Sequence, residues 1–79
     1  MKLRVLFFGA TADIAGTRSL EIDIDTGCTS REVLDRVLTD HPRLSSHKLL
    51  FAVNMEYGNG SEVIRNGDEF AVFTAVSGG

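Results

Sequence analysis

Only one stretch of this chain is patterned for a long helix, and it stands between segments patterned for strands. Thr29 and Glu32 form a Thr-x-x-Glu capping box, in which each side chain satisfies a backbone N–H at a helix start. The helix it opens runs to about His41, with Val33, Leu34, Val37 and Leu38 on one stripe and Arg31, Asp35, Arg36 and Asp40 facing water. Pro42 cannot continue it and disfavours helical geometry at His41. Upstream, Lys2 to Phe8 is an unbroken run of strand formers closed by Gly9, and Thr11 to Gly16 has room for one helical turn. Arg18 to Asp25 then alternates at every step, with Leu20, Ile22 and Ile24 on one face and Glu21, Asp23 and Asp25 on the other.

Downstream, Leu49 to Met55 is a short apolar run that predicts a strand buried on both faces. Gly58-Asn59-Gly60 reads as a turn before a lesser strand at Glu62 to Ile64. Asn66-Gly67-Asp68 is a second turn, and a final strand spans Glu69 to Val76. A hairpin crossed by one helix that returns the chain to the sheet is a right-handed crossover, which sets the first and last long strands parallel and adjacent. The expected fold is therefore α+β, a β-grasp (ubiquitin-like) arrangement with a mixed sheet crossed by one main helix. Residues 1–76 form the domain and 77–79 a flexible tail.

Size and charge narrow the function. A chain of 79 residues buries only about 60% of its unfolded surface, leaving little room for an enclosed active site. Eight basic and eleven acidic residues give a net charge of −3 without a Lys/Arg cluster, a poor basis for binding nucleic acid. The apolar runs are too short to cross a bilayer, and the start of the chain lacks the h-region and cleavage site of a signal peptide, so a cytoplasmic location is expected. A single cysteine, Cys28, excludes an internal disulfide and any multi-thiolate metal site. It lies just before the helix, where the N-terminus could lower its pKa, against the plainer reading of a small inert residue. His41 and His47 lack metal-pair spacing, and His41 at a helix end suits free carbonyls. No metal site is expected.

The chain stops at Val76-Ser77-Gly78-Gly79. Taken alone, terminal glycines read as a frayed end or a cloning remnant. Directly after a strand, they also make an extension slender enough to enter a channel closed to side chains, with the Gly79 carboxylate as a candidate reactive group. The pleat adds a second feature. Leu3, Val5 and Phe7 share one face of the first strand with Phe70, Val72, Thr74 and Val76 of the last. The other face carries Lys2, Arg4, Leu6 and Phe8 with Glu69, Ala71, Phe73 and Ala75. Phe8 and Phe73 on a charged face suggest an exposed apolar binding patch, unless the segment Thr11 to Gly16 covers both rings.

Leu6-Phe7-Phe8, Asp13-Ile14-Ala15-Gly16, Phe51-Ala52-Val53-Asn54 and Asn66-Gly67-Asp68-Glu69-Phe70-Ala71-Val72-Phe73 leading to Val76-Ser77-Gly78-Gly79 resemble the MoaD family across essentially the whole chain. These are ubiquitin-fold sulfur carriers, the small subunits of the heterotetrameric molybdopterin synthase of molybdenum cofactor biosynthesis. The resemblance implies that an adenylating enzyme (MoeB-like) uses ATP to activate the Gly79 carboxylate. Sulfur then displaces AMP to leave a thiocarboxylate, which donates to a pterin precursor within a MoaE-like large subunit. Catalytic side chains would belong to the partners, no cofactor would bind the chain directly, and Phe8, Phe73 and Val76 would contact the partner while Ser77 and Gly78 form the tail. Two departures stand out: Thr74-Ala75 replaces a frequent Pro-Pro, and Ala10-Thr11-Ala12-Asp13 lacks a basic residue often found there. A ThiS-type carrier for thiazole synthesis, a ubiquitin-like modifier conjugated through Gly79, and a β-grasp interaction domain without chemistry at its end are the alternatives.

Overall fold

A computed structural model describes residues 1–75, so the expectations for Val76, Ser77, Gly78 and Gly79 lie outside the described residues. The elements are β1 (Lys2–Phe7), α1 (Ala10–Ala15), β2 (Ser19–Asp23), α2 (Ser30–Asp40), a 3-10 turn (Pro42–Ser46), β3 (Leu49–Val53), β4 (Glu56–Tyr57) and β5 (Glu69–Thr74). They form a five-stranded sheet in the order β2-β1-β5-β3-β4. β1 and β5 are parallel and central, with Arg4 beside Glu69 and Leu6 beside Ala71, and the other pairs are antiparallel. This is the β-grasp arrangement that the order of strand and helix patterns predicts.

Helix α2 begins where the capping box places it. The Thr29 hydroxyl accepts the Glu32 N–H at 3.3 Å, and the Glu32 carboxylate accepts the Thr29 N–H at 3.1 Å. Its Val33, Leu34 and Val37 pack onto Leu3, Val5 and Phe7 of β1 and Phe70 and Val72 of β5, all buried. Each such side chain contributes about 1.5–3 kcal/mol by leaving water. Leu44, fully buried in the 3-10 turn, closes the core at one end without having stood out in the sequence.

Three elements differ from expectation. β3 stops at Val53, and Asn54 and Met55 turn the chain back at φ 51° and 70°, as a type I′ hairpin requires. Without a glycine to mark it, that turn reads in sequence as more strand. β3 is also covered on one face only, since α2 lies on one side of the sheet and Leu50 on the other remains 37% exposed. The lesser strand at Glu62 to Ile64 reduces to one bridge, Thr29 to Val63. Its backbone serves the helix start instead: Ser30 N–H donates to the Glu62 carbonyl, Arg31 N–H to that of Gly60, and Ile64 N–H to that of Cys28. A helix leaves its first N–H groups without internal partners, and this loop supplies two of them. Finally, β5 ends at Thr74 rather than Val76.

Candidate functional site

Among the described residues no element covers the face of the sheet away from α2. Register sorts its residues into rows. Leu6, Ala71, Ala52 and Tyr57 lie side by side across β1, β5, β3 and β4. Phe73 pairs with Leu50 in the next row, and Phe8, whose N–H donates to the Val72 carbonyl, continues β1 beside it. Arg4 and Glu69 form the row on the other side. Two alanines at the centre, ringed by larger side chains, leave a groove of about 330 Å³ lined by Leu6, Phe8, Ala52, Met55, Tyr57, Glu69, Ala71 and Phe73.

Phe8 is 53% exposed, Tyr57 77% and Met55 92%, while Phe73 is half-buried with its ring 5.8 Å from that of Tyr57. Helix α1 leaves this face open. Thr11 is fully buried and its hydroxyl is shared between the carbonyls of Phe8 at 2.7 Å and Val72 at 2.9 Å, while Ala12, Ile14 and Ala15 pack against the core cluster. Anchored there, α1 closes the end of the core, and Gly16 in the left-handed conformation ends it.

The far rim is held by side-chain hydrogen bonds. Asn54, at the hairpin turn, donates from Nδ2 to Asp68 at 2.9 Å and accepts the Glu69 N–H at 3.0 Å. The second oxygen of Asp68 accepts the Arg65 N–H at 2.7 Å, and these two bonds hold its carboxyl below the usual range. The β3–β4 hairpin, with Met55 and Tyr57, is thereby tied to the start of β5. Phe8 and Phe73 were legible in the sequence by the pleat. Met55 and Tyr57 were not, because their place depends on where β3 turns, and Leu50 was not, because its run reads as buried on both faces.

The other candidates fall elsewhere. Burial chiefly, with the nearby Glu32 and Asp25 charges, pushes the Cys28 thiol up, opposite to the lowering a helix N-terminus could supply. The His41 ring packs edge-on against Phe7 at 5.7 Å, and His47 is exposed. Among the described residues no group of three or more His, Cys, Asp or Glu could hold a metal, and no helix is long and apolar enough to cross a membrane. At the root of the tail, Ala75 donates its N–H to the Lys48 carbonyl at 3.1 Å, so the position where many MoaD relatives have a proline carries a bonded donor here. Gly79, Gly78, Ser77 and Val76, expected to form the reactive end and its approach, lie beyond the described residues.

The comparisons agree with this architecture. The chain is 34% identical to the molybdopterin synthase sulfur carrier subunit of Homo sapiens, covering 99% of this chain and 94% of that one. With the subunit of the same name from Chlamydomonas reinhardtii it is 30% identical, over 100% of both. Among solved structures, the small archaeal modifier protein 1 of Haloferax volcanii superposes with a TM-score of 0.87 at 29% identity, covering 100% of both chains. A chain from a complex of subunits 1 and 2 of the molybdopterin-converting factor of Helicobacter pylori gives 0.71 at 22% identity, again over 100% of both, and shares the fold. Residues 5–79 match the ThiS family, and with that match spanning nearly its whole length the chain belongs to the ThiS family.

Proposed function

We propose that this chain is the sulfur carrier subunit of a molybdopterin synthase, with Gly79 bearing the sulfur as a C-terminal thiocarboxylate. The observation that carries the reading is the end-to-end match, 30% identical over 100% of both chains, to a protein named for that role. In this reading a carboxylate oxygen of Gly79 attacks the α-phosphorus of ATP on an adenylating enzyme, and pyrophosphate leaves. Sulfur at the oxidation level of sulfide then displaces AMP from the acyl-adenylate. On a large synthase subunit the thiocarboxylate sulfur attacks a carbon of the pterin precursor and displaces an oxygen substituent from it. Water then cleaves the acyl–sulfur bond, regenerating the carboxylate and leaving the sulfur on the pterin as a thiolate. Splitting a hard transfer into activated steps is the benefit of covalent carriage.

The chain's own part is to present the tail and dock. Ordering a tail residue costs about 1–2 kcal/mol, so threading residues 76–79 draws on binding energy from elsewhere. The exposed groove of Phe8, Tyr57 and Phe73, which runs along the strand that leads into the tail, is the surface we assign to that docking. Incubation with the adenylating enzyme, ATP and a sulfide source tests the chemistry. The intact mass rises by the difference between sulfur and oxygen, and a chain lacking Gly79 stays unchanged. Absence of that mass change in the full chain overturns the sulfur-carrier reading.

The likeness to the archaeal modifier, at 29% identity over the whole of both chains, supports a second reading in which Gly79 is joined to lysines of other proteins. High-mass conjugates ending in Gly79 in the native host distinguish it. A ThiS-type thiazole carrier would instead show sulfur transfer without activity toward the pterin precursor.

A further inference from the structure

The groove on the open face is apolar except at one end. Its floor is Ala52 and Ala71, directly paired, its sides are Leu6 and the hairpin residues Met55 and Tyr57, and Phe8 and Phe73 close the end nearest the tail. At the opposite end stands Glu69, the one charged residue lining it among the described residues. The Glu69 backbone N–H and carbonyl are both engaged with Asn54, whereas its carboxylate is in no hydrogen bond or ion pair among the described residues. Arg4 lies opposite it in the register, yet the two make no ion pair. An apolar trough with a free carboxylate at its end is complementary to a long aliphatic stem with a cationic head. A guanidinium is more weakly hydrated than an ammonium and its planar fork pairs with a carboxylate through two parallel hydrogen bonds, which favours arginine over lysine at such an end.

We propose that this groove receives a basic side chain of the docking partner, an arginine in preference to a lysine, with its stem on Ala52 and Ala71 and its head against Glu69. The inference rests on the docking role assigned above and adds the partner chemistry that role selects. The pair of small floor residues gives the stem room. The hairpin turn at Asn54 and Met55, tied to Asp68 and Glu69, places Tyr57 where it flanks that stem. Glu69 then discriminates between partners, since a like-charged or neutral side chain in the same place leaves the carboxylate desolvated and unmatched.

The test uses the full chain and the large synthase subunit of the same organism, titrated calorimetrically at low salt and at about 0.5 M salt, where exposed charges are screened. Glu69→Gln is expected to weaken binding roughly five- to ten-fold at low salt and much less at high salt, as a partly exposed pair should. Glu69→Lys should weaken it further, and Phe73→Ala should weaken it at both salt concentrations. Thermal unfolding of Glu69→Gln alone should match the parent, because the carboxylate makes no bond among the described residues. A second arm follows the amides of Ala52, Glu69 and Ala71 by nuclear magnetic resonance, with N-acetyl-arginine amide and its neutral citrulline analogue as probes; only the former should shift them. Unchanged affinity in Glu69→Gln with a loss in Phe73→Ala overturns the cation-binding inference and leaves the docking role intact. Unchanged affinity in both variants overturns both.

Discussion

On the covered side of the central strands Leu3, Val5, Phe70 and Val72 are at most 1% exposed, whereas Phe8 at the end of β1 is 53% exposed and Tyr57, across the groove on β4, 77%. Both sides carry aromatic residues, so hydrophobicity alone does not separate core from surface. Position relative to α2 does. The helix has one apolar stripe and can cover one face of a sheet, and α1, which could have shielded the other, is drawn to the core's end by the buried hydroxyl of Thr11. The difference teaches that the apolar character of the open face is unspent by folding and remains available for association.

Breaking the covered side should have the largest effect. Phe70→Ala removes a fully buried ring stacked on Phe51 at 5.3 Å and is expected to cost about 3–5 kcal/mol of stability by denaturant unfolding. The matching change on the open side, Phe73→Ala, should cost about 2 kcal/mol in affinity for the large subunit, as an anchoring aromatic does, with a much smaller loss of stability. Comparable destabilisation by both variants would erase the contrast between the faces.

Acid titration sharpens the comparison from the covered side. The Glu62 carboxylate accepts the Ser30 hydroxyl and the N–H groups of Asn59 and Gly60, bonds that lower its pKa from 4.5 to about 2. The unfolded chain therefore takes up this proton at higher pH than the folded one. The stabilisation is fully present above the unfolded value of 4.5 and is lost as the pH falls toward 2. Glu62→Gln should accordingly reduce stability at neutral pH and flatten its decline across that acid window, measured by unfolding at a series of pH values. A parallel decline in both proteins would mean that other carboxylates govern it.

The smallest effect is expected at the tail root. Ala75→Pro deletes the N–H bonded to Lys48, a loss of about 0.5–1.5 kcal/mol, but restricts the unfolded chain, a gain of about 0.4–1 kcal/mol at a compatible site. The net change in stability should lie near zero. A thermal shift of many degrees in either direction would show that the Lys48 bond, or the backbone conformation at Ala75, matters more than this balance allows.

The start of α2, its end before Pro42, the alternation of β2 and the two faces of β1 and β5 were all written in the sequence. Each follows from residues a few positions apart: a Thr-x-x-Glu pair, a proline that cannot continue a helix, a pleat of period two. The β4 pairing and the hairpin turn were not, because Asn54-Met55 is an unusual pair for positive φ and its cost is met by bonds from Asn54 to residues that follow much later in the chain. Glu62 to Ile64 likewise has the composition of a strand, and its fate was decided by which backbone groups stood opposite it. The helix start, with N–H groups that no helix can satisfy internally, took the carbonyls that a neighbouring strand would have used. Local chemistry thus determined the elements and the direction of their side chains. Only the tertiary structure decided which elements share a hydrogen-bonding partner, which face is left uncovered, and hence that Tyr57, Met55 and Glu69 meet around two alanines, since those outcomes depend on competition between groups far apart along the chain.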